Sequence, residues 1–556
     1  MTKDNNEFVF LPLGGVGEIG MNMALYGYGP PSGRKWLIVD CGVTFAGPDL
    51  PGIDLVFPDI SFIEAQKGNI VGMVITHAHE DHYGAVMDLW PRIRVPVYAT
   101  PFTAGLLEAK RFMEDGVEKI PLTIYKAGDT FNLGPFEVEA INVTHSIPEP
   151  VALAIKCPLG KIIHTGDWKL DETPSLGAPT DEKRLRQLGD EGILALMCDS
   201  TNALREGDSP SEKAVGENLA NIIKSAKGRV AVTSFSSNAG RLKTVALAAA
   251  EAGRSVVVLG RSMKRVLEVS DELGYMEGVP DFLGEDDYAS LPRQNCVILL
   301  TGSQGESRAA LAKLANDEMR SIKLTPGDTV IFSSRTIPGN EKPILDIKNK
   351  LIDQGIEIIT DDQTLVHVSG HPRRNELKKM YSWVRPQILV PVHGEAAHLV
   401  AQAALGANEG IKQVARVRDG DMLRLAPGPA EIIDEAPFGR IYKDGRLVGN
   451  FDEMGIGERR KLSFAGHVGL AVTVDAKFNI AGDPDLESFG LPESDSKGED
   501  MDDLLFDAAM SAFESIPRIK RKDLEMVREA LRRAVRSAAD QAWGKKPIVT
   551  VFINQI

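Results

Sequence analysis

The stretch VITHAHEDHYG, residues 74–84, is the part of the sequence that decides the fold. It follows an apolar run and places His77, His79, Asp81 and His82 within six positions, although the whole chain of 556 residues has only ten histidines. On a helix His77 and His79 would point apart, so the spacing predicts a turn after a strand, where the side chains can converge. Three imidazoles and a carboxylate are typical ligands of zinc-type metals, and a solvated His-rich loop is the weaker alternative.

Acidic or histidine residues also stand at the ends of several other predicted strands. In a layered α/β fold parallel strands end at a shared edge, so residues far apart in sequence can cluster there. A single strand-terminal Asp is ordinarily a cap or turn residue, but six such endings favour one polynuclear site. Two metals about 3.5–4 Å apart would form a clamp for hydrolytic attack at phosphorus or a carbonyl. Besides the loop at 77–82, the endings are Asp40, His145, Asp167, Asp199 and His393.

The composition narrows the class of protein. A hydrophobic fraction of 43% and a charged fraction of 25% are ordinary for a globular protein, and the length predicts two to four domains. We expect a cytoplasmic protein without a membrane partner, because the N-terminus lacks the order of a signal peptide and the four cysteines have no CxxC spacing. The net charge of −15 argues weakly against a general polyanion binder but leaves room for a local basic groove.

The order of predicted strands and helices along the chain indicates several domains. Short β-rich runs separated by turns extend to about residue 200, and alternating strands and helices follow, which is typical of a separate α/β domain with a parallel sheet. In the last segment Leu524, Val527, Leu531 and Val535 form a helical stripe. We therefore divide the chain into a first domain at 1–208, an inserted domain at 209–365, the return of the first domain at 366–428, a linker region at 429–465 and a C-terminal α/β domain at 466–556.

One glycine-rich motif suggests a dinucleotide-binding site, but the residues that follow it do not fit one. The segment GVGEIG, residues 15–20, matches the glycine pattern of a dinucleotide-binding turn, and Asp40 lies about 20 residues further on, as that fingerprint requires. Such a site needs a helix after the glycines, but the following residues predict a strand and a hairpin. We therefore reject a Rossmann site.

The motifs together resemble a known family. HAHEDH is similar to the HxHxDH signature of the metallo-β-lactamase fold, an αββα sandwich, and the inserted α/β domain resembles that of the β-CASP nucleases. Asp199 in CDSTN, His371 in HVSGH and His393 in PVHGE are similar to motifs A, B and C, and a histidine at the third position is associated with RNA-acting members. The combination with GGVGEIGMN, GRSM, TGSQGE and IPGNE is similar to bacterial ribonuclease J over most of 8–425, and the C-terminal α/β unit fits as a dimerisation domain.

The resemblance implies roles for individual residues. His77, His79 and His145 would bind one metal, and Asp81, His82 and His393 the other, with Asp167 between them. It implies two Zn²⁺ per subunit, with Mn²⁺ or Mg²⁺ as alternatives. His371, oriented by Asp199, would act as general acid, Asp81 would contribute to catalysis, and Asp40 would orient a ligand; a turn cap is an equal alternative for Asp199.

The same resemblance implies a pocket for a 5′-monophosphate. Helix-terminal N–H groups and polar side chains can hold a phosphate, and ordinary N-capping is the alternative. The expected residues are Ser234, Ser236, Asn238, Arg241, Arg261, Ser369 and His371, with Lys264, Arg265 and Arg335 adding to a basic groove. Small differences from the family pattern, at Glu149, Arg335, Arg373 and Arg374, bear on substrate preference.

The implied function is a metal-dependent ribonuclease with 5′→3′ exonuclease and endonuclease activity, acting in mRNA decay and rRNA maturation. It would bind RNA as a homodimer or homotetramer, and RNA-decay partners such as a helicase are compatible with it. The alternative is another hydrolase of the same fold, such as a DNA nuclease or a thioesterase. The insert of roughly 150 residues argues against a small-molecule esterase, and His393 argues against the DNA branch.

Overall fold

The computed structural model describes residues 6–114, 116–337 and 339–556. The chain divides into two compact units, of which the first comprises residues 1–44 and 57–439 and the second residues 45–56 and 440–556. Within the described residues, none of the helices is both long and apolar enough to span a membrane.

The first stretch of chain supplies most strands of two large sheets. The long apolar runs KWLIV and ALMCD form strands buried along most of their length, as β-branched and aliphatic residues between layers should. The elements are β1 Glu7–Gly14, β2 Val16–Gly17, β3 Met23–Gly29, β4 Lys35–Val39, β5 Thr44–Phe45, β6 Leu55–Pro58, α1 Ser61–Ala65, β7 Ile70–Val74, α2 Glu80–Tyr83, α3 Val86–Ile93, β8 Val97–Ala99, α4 Pro101–Met113, β9 Leu122–Ile124, β10 Thr130–Leu133, β11 Phe136–Asn142, β12 Val151–Cys157, β13 Gly160–His164, α5 Glu182–Glu191 and β14 Ala195–Asp199.

The next stretch alternates helices and strands. Its strands are parallel, and all except the edge strand Glu357–Ile359 are nearly fully buried, which agrees with the continuous apolar runs in the sequence. They form a sheet in the order β16-β17-β15-β18-β19. The elements are α6 Glu212–Ser225, β15 Val230–Thr233, α7 Ala239–Glu251, β16 Ser255–Leu259, α8 Arg261–Glu272, β17 Cys296–Leu300, α9 Ala310–Ala315, β18 Thr329–Phe332, α10 Glu341–Asp353 and β19 Glu357–Ile359.

The chain then returns to the two large sheets. It adds α11 Arg374–Val384, β20 Ile388–Val392, β21 Gly394–Glu395, α12 Ala396–Asn408, β22 Gln413–Val414, β23 Asp421–Ala426 and β24 Glu431–Glu435. The sheet orders are β24-β23-β1-β3-β4-β7-β8-β9 and β10-β11-β12-β13-β14-β20-β22. One buried core with Phe8, Tyr26, Phe136 and Leu153 contains residues of both sheets, and α5, α11 and α12 share a second core with the outer face of the seven-stranded sheet. This is the αββα arrangement with an α/β insertion that the sequence predicts.

The second unit contains the remaining elements, namely β25 Arg440–Asp444, β26 Leu447–Gly449, α13 Ile456–Ala465, β27 His467–Val474, β28 Asp485–Phe489, α14 Met501–Ser515, α15 Leu524–Trp543 and β29 Ile548–Gln555. The stripe of Val527, Leu531 and Val535 on α15 is buried in its core, as predicted. Two expectations differ from the structure. The region 429–465, read as a linker from its Gly, Pro and charge, contains three strands and a helix, and residues 45–56 leave the first domain for this unit. Pairing between distant segments, such as the 2.9 Å bond from the N–H of Asp54 to the carbonyl of Lys443, is the reason.

The glycine-rich segment at residues 15–20 leads into strand β3, which pairs antiparallel with β4. No helix follows the glycines between residues 15 and 35, so the structure agrees with the rejection of a dinucleotide site.

Candidate metal centre

The loop at 75–82 is held by the backbone that follows β4. The carbonyl of His82 accepts the N–H of Cys41 at 2.7 Å, and the carbonyl of Asp81 accepts the N–H of Asn22 at 2.9 Å. A Cβ at residue 42 would lie 1.7 Å from the carbonyl oxygen of Asp81, so only Gly42 allows this close approach. Backbone contacts therefore fix the position of the segment 77–82, which carries four of the predicted ligands.

The first group of ligand atoms lies at the carboxyl ends of the strands. His77, His79, His145 and Asp167 each offer one ligand atom, and all four atoms lie within 4.8 Å of one another. The Nε2 of His145 is 2.9 Å from the Nδ1 of His79, and the Nε2 of His77 is 3.8 Å from the Oδ2 of Asp167. Side chains from three separate segments thus converge as the strand ends predict.

The second group shares Asp167 with the first. It adds Asp81, His82 and His393, again with all ligand atoms within 4.8 Å of one another. The Nε2 of His82 lies 3.3 Å from the Oδ1 of Asp167, and the Nε2 of His393 lies 3.4 Å from its Oδ2. Asp167 therefore lies between the two groups, with its Oδ2 near histidines of both and its Oδ1 near His82.

Hydrogen bonds behind the cluster decide which ring nitrogen of each histidine faces it. The Nδ1 of His82 donates to the Oδ2 of Asp40 at 2.7 Å, so its Nε2 is the nitrogen that faces the cluster. The hydroxyl of Thr76 donates to the same oxygen at 2.9 Å and lies 3.0 Å from the Nδ1 of His77, so Asp40 orients His77 through Thr76. Asp40 is buried and orients two histidines, one directly and one through a hydroxyl.

Two further partners complete the orientation. The Nδ1 of His393 donates to the Oδ1 of Asn22 at 2.9 Å, and the Nδ1 of His145 donates to the carbonyl of Gly370 at 2.7 Å. The amide nitrogen of Asn22 also lies 3.3 Å from the Oδ2 of Asp81. Reasoning from the sequence missed both Asn22 and Thr76. The position of Asn22 after the glycine-rich turn does not by itself indicate a histidine partner. In the structure a Cβ at Gly15 would lie 2.2 Å from the Oδ1 of Asn22, so the glycine makes room for it.

The residues present fit metal ions. The Nε2 of His77 and the Oδ1 of Asp167 are buried and have no hydrogen-bond partner among the described residues, although buried polar atoms ordinarily find one. Burial lowers the pKa of His77 and His145, so their imidazoles stay neutral as ligands must be. Imidazoles and carboxylates in two groups with a shared carboxylate suit Zn²⁺ or a similar divalent ion.

His371 lies beside this cluster with an acidic partner. Its Nδ1 donates to the Oδ2 of Asp199 at 2.7 Å, and its ring centroid is 5.4 Å from that of His393. Burial disfavours the charged imidazole, but Asp199 and Asp167 outweigh it and raise the pKa of His371 to about 9. The other oxygen of Asp199 accepts the N–H of Thr201 at 2.8 Å, so Asp199 serves both as the turn cap and as the partner of His371.

The residues expected to bind a 5′-monophosphate differ in their burial and in their hydrogen-bond partners. Asn238 caps α7 by accepting the N–H of Arg241 at 2.9 Å, and the hydroxyl of Ser234 is buried against the carbonyl of Phe235. Arg241 does not reach a surface. Its guanidinium is buried, lies 2.7 Å from Glu212 and donates to the carbonyl of Val366, because the interior of the insert supplies a carboxylate that the sequence pattern does not reveal.

The remaining phosphate residues are more accessible. Ser236 and Ser369 are half-buried, and Arg261 is exposed at the first position of α8. The hydroxyl of Ser369 accepts the amide N–H of Asn202 at 2.9 Å, which places it next to His371. Glu149, where the sequence differs from the family pattern, accepts the N–H of Phe102 at 2.7 Å and the hydroxyl of Tyr275 at 2.6 Å, and so connects the loop of His145 to the inserted domain.

The two-sheet core with a His/Asp cluster at its strand ends defines a hydrolase of the metallo-β-lactamase fold that carries a β-CASP insertion. Family models match along the chain, described as beta-lactamase superfamily domain (residues 35–184), ribonuclease J beta-CASP domain (227–351), Zn-dependent metallo-hydrolase RNA specificity domain (355–415) and ribonuclease J C-terminal domain (454–556). A crystal structure of a protein of unknown function from Enterococcus faecalis has a TM-score of 0.52 at 15% identity, covering 75% of this chain and 100% of that one, which is a likeness of fold alone.

Full-length relatives identify the family. Ribonuclease J of Sinorhizobium meliloti is 65% identical over 100% of this chain and 98% of its own length, and ribonuclease J of Mycolicibacterium smegmatis is 37% identical over 98% and 96%. Ribonuclease J 1 of Streptococcus pyogenes is 37% identical over 99% and 98%. The chain belongs to the ribonuclease J family and is a ribonuclease of this fold.

Proposed function

We propose that this ribonuclease uses two divalent metal ions to hydrolyse RNA, both from the 5′ end and internally. The observation that carries the proposal is the double group of ligand atoms joined by Asp167. His77, His79 and His145 would hold one ion. Asp81, His82 and His393 would hold the other, with Asp167 between them. When bound, such ions activate water and neutralise charge on the phosphate. Zn²⁺ is the first candidate, with Mn²⁺ or Mg²⁺ as alternatives.

The chain's own residues would handle the proton of the leaving group. With its Nδ1–H held by Asp199 at 2.7 Å and its pKa raised to about 9, His371 is protonated at neutral pH. It can therefore give a proton to the leaving 3′-oxygen as general acid, and Asp199 stabilises the charged ring. Asp40 has a positioning role, since it fixes the tautomer of a ligand rather than touching the substrate.

The preference for a 5′-monophosphate would come from the strand ends of the insert and the segment after it. Ser236, Arg261 and Ser369 are accessible for it, and Ser234 and Asn238 would act through the backbone of the turn that carries Ser236. His371 adjoins Ser369. Arg241 is left out because it is buried in an ion pair. The role in mRNA decay and rRNA maturation, the cytoplasmic location, the homodimer or homotetramer through residues 466–556 and a helicase partner belong to the same proposal, by similarity to the family.

The test is cleavage of a 5′-monophosphorylated RNA labelled at its 3′ end. His79→Ala should abolish cleavage while thermal unfolding stays cooperative, and a chelator should abolish the activity of the wild type reversibly. His467→Ala is the matched control, because this histidine contacts Thr550 in the second unit. Cleavage by His79→Ala at the wild-type rate would contradict the metal centre.

Release of mononucleotides supports 5′→3′ action, and defined internal fragments support endonuclease action. A triphosphorylated RNA of the same sequence tests the preference for the 5′ end. We expect slower mononucleotide release from it, and equal rates would contradict the phosphate pocket.

A further inference from the structure

The basic side chains on and beside α11 fall into two groups. Four of them pair with carboxylates, namely Arg374 with Glu206 at 2.9 Å, Lys378 with Glu409 at 3.1 Å, Lys379 with Asp208 at 2.9 Å and Arg385 with Asp190 at 2.6 Å. Arg373 and Arg205 make no ion pair within the described residues. The chain has a net charge of −15, and the neighbouring basic side chains pair with carboxylates. The two unpaired guanidiniums are an exception among them.

The two unpaired arginines are neighbours on a rigid frame. The N–H of Arg374 donates to the carbonyl of Arg205 at 3.0 Å, so the segment of Arg373 lies against the loop after β14. The buried carboxylate of Glu376 accepts the N–H of Arg373 at 2.8 Å and the hydroxyl of Ser209 at 2.7 Å, which joins the same two segments. These bonds fix the backbones of Arg205 and Arg373 next to each other, which reduces the entropy lost when a ligand binds.

The charges of the pair are only partly compensated. Partial burial and then the charge of Arg373 lower the pKa of Arg205, which is the expected effect of two cations side by side. Asp361 acts on Arg205 and Asp208 acts on Arg373. The carboxylate of Asp361 also accepts the N–H of His367 at 3.3 Å, and that of Asp208 pairs with Lys379 at 2.9 Å. Arg205 is exposed and Arg373 is half-buried, so an anion from solvent can approach and relieve the repulsion.

The pair adjoins the proposed general acid. Arg373 is two residues after His371, and the N–H of Arg205 donates to the carbonyl of Asn202 at 2.8 Å. The amide of Asn202 in turn donates to the carbonyl of His371 at 3.0 Å. Both arginines are therefore tied by short connections to the residue that would face the scissile phosphate.

We propose that Arg205 and Arg373 together form a binding site for a backbone phosphate of the RNA next to the one that is cleaved. The planar guanidinium forks match phosphate oxygens, and two of them can hold one phosphate from two sides. The site rests on the proposed function, since it needs RNA at the metal centre. It contributes affinity and register of the strand and carries no base preference.

The test measures RNA affinity against salt with the full-length protein in the presence of a chelator, so that no cleavage occurs. A labelled 5′-monophosphorylated single strand is the probe. The double variant Arg205→Gln/Arg373→Gln should bind about tenfold more weakly at low salt. The slope of log affinity against log salt should fall in magnitude by about 0.7 for each phosphate that the variant no longer neutralises.

The matched control is Arg374→Gln/Arg385→Gln, which also removes two guanidiniums, at the start of α11 and just after its end, but from residues that already pair with carboxylates. It should leave the salt slope at the wild-type value. Thermal unfolding of both variants checks that the fold persists. An unchanged slope in the first variant, or an equal decrease in both, would overturn the site. Cleavage of the same RNA by the wild type with metal tests the proposed function separately.

Discussion

Replacement of Asp40 by Asn tests whether Asp40, which lies behind the cluster, sets which ring nitrogen of His82 carries the proton. The carboxylate accepts three hydrogen bonds, from the N–H of Thr76 at 2.7 Å, the hydroxyl of Thr76 at 2.9 Å and the Nδ1–H of His82 at 2.7 Å. An Asn that keeps its oxygen on the N–H of Thr76 turns its NH₂ toward His82. Two donors would then face each other, so His82 must move its proton to Nε2, where it blocks the lone pair needed for a metal.

The magnitude follows from the number of ligands affected. Loss of a partner that orients a metal-bound histidine costs about 10–100-fold in metal affinity. This equals about 1.4–2.7 kcal/mol for the weakened ion. Because Asp40 also holds Thr76 beside His77, we expect the upper part of this range. Activity at low metal should fall in proportion, and excess metal should restore most of it, since the residues that touch RNA remain.

The assay is competition for metal with a chelator of known affinity, followed by RNA cleavage over a metal titration. Asp328→Asn is the matched control, because Asp328 is equally buried and accepts the N–H of Arg229 at 2.8 Å in the inserted domain. It should lower the free energy of unfolding and leave metal affinity unchanged. Wild-type metal affinity in Asp40→Asn, or an equal decrease in the control, would refute a role of Asp40 in orienting the ligands.

Three further predictions follow from buried or partly buried groups. The cleavage rate at saturating RNA should fall as pH rises through the pKa of His371, which lies at or below about 9 because bound cations oppose protonation of the ring. Asp199→Asn should move this fall in rate to lower pH. A pH–rate profile that the substitution leaves unmoved would contradict general acid action by His371. Glu212→Gln should lower the free energy of unfolding at neutral pH by about 3 kcal/mol, because it breaks a buried ion pair. Burial opposes ionisation of Glu212, but its cationic neighbours lower its pKa to about 2, so its contribution is complete above pH 4.5 and is lost as pH falls toward 2; denaturation curves that differ equally at all pH values would contradict this account. Tyr275→Phe should lower the free energy of unfolding by about 1–2 kcal/mol by removing a hydroxyl that donates to Glu149 at 2.6 Å, and chemical denaturation would show no change if that bond contributes nothing.

The clustering of these histidines and aspartates could be predicted because it depends on local sequence patterns. His and Asp side chains directly after apolar runs are unusual, and parallel strands bring such positions to one edge whatever the details of packing. The loop at 77–82 and the strand-end residues His145, Asp167 and His393 therefore meet in the structure as the sequence indicates. Asp40 was predicted for the same reason, since it ends β4.

The surroundings of polar side chains could not be predicted in this way. Arg241 looks like an exposed cation in SFSSNAGR, yet it is buried against Glu212, 29 residues earlier in the chain. Asn22 reaches His393 across 371 residues, and nothing in its local sequence indicates a histidine. Burial and hydrogen-bond partners depend on which distant segments pack together, and a local pattern does not contain that information.

The sequence by itself determined the class of the protein, because metal-ligand chemistry and strand periodicity are properties of neighbouring residues. The histidine-rich loop, the strand-end acids and the alternating elements of the insert were sufficient for that. Only the tertiary structure decided which nitrogen of each histidine faces the cluster, that residues 45–56 belong to the second unit, and which arginines on α11 are already paired with carboxylates. Each of these depends on a donor, an acceptor or a counter-charge supplied by a remote part of the chain, and only folding brings it into contact.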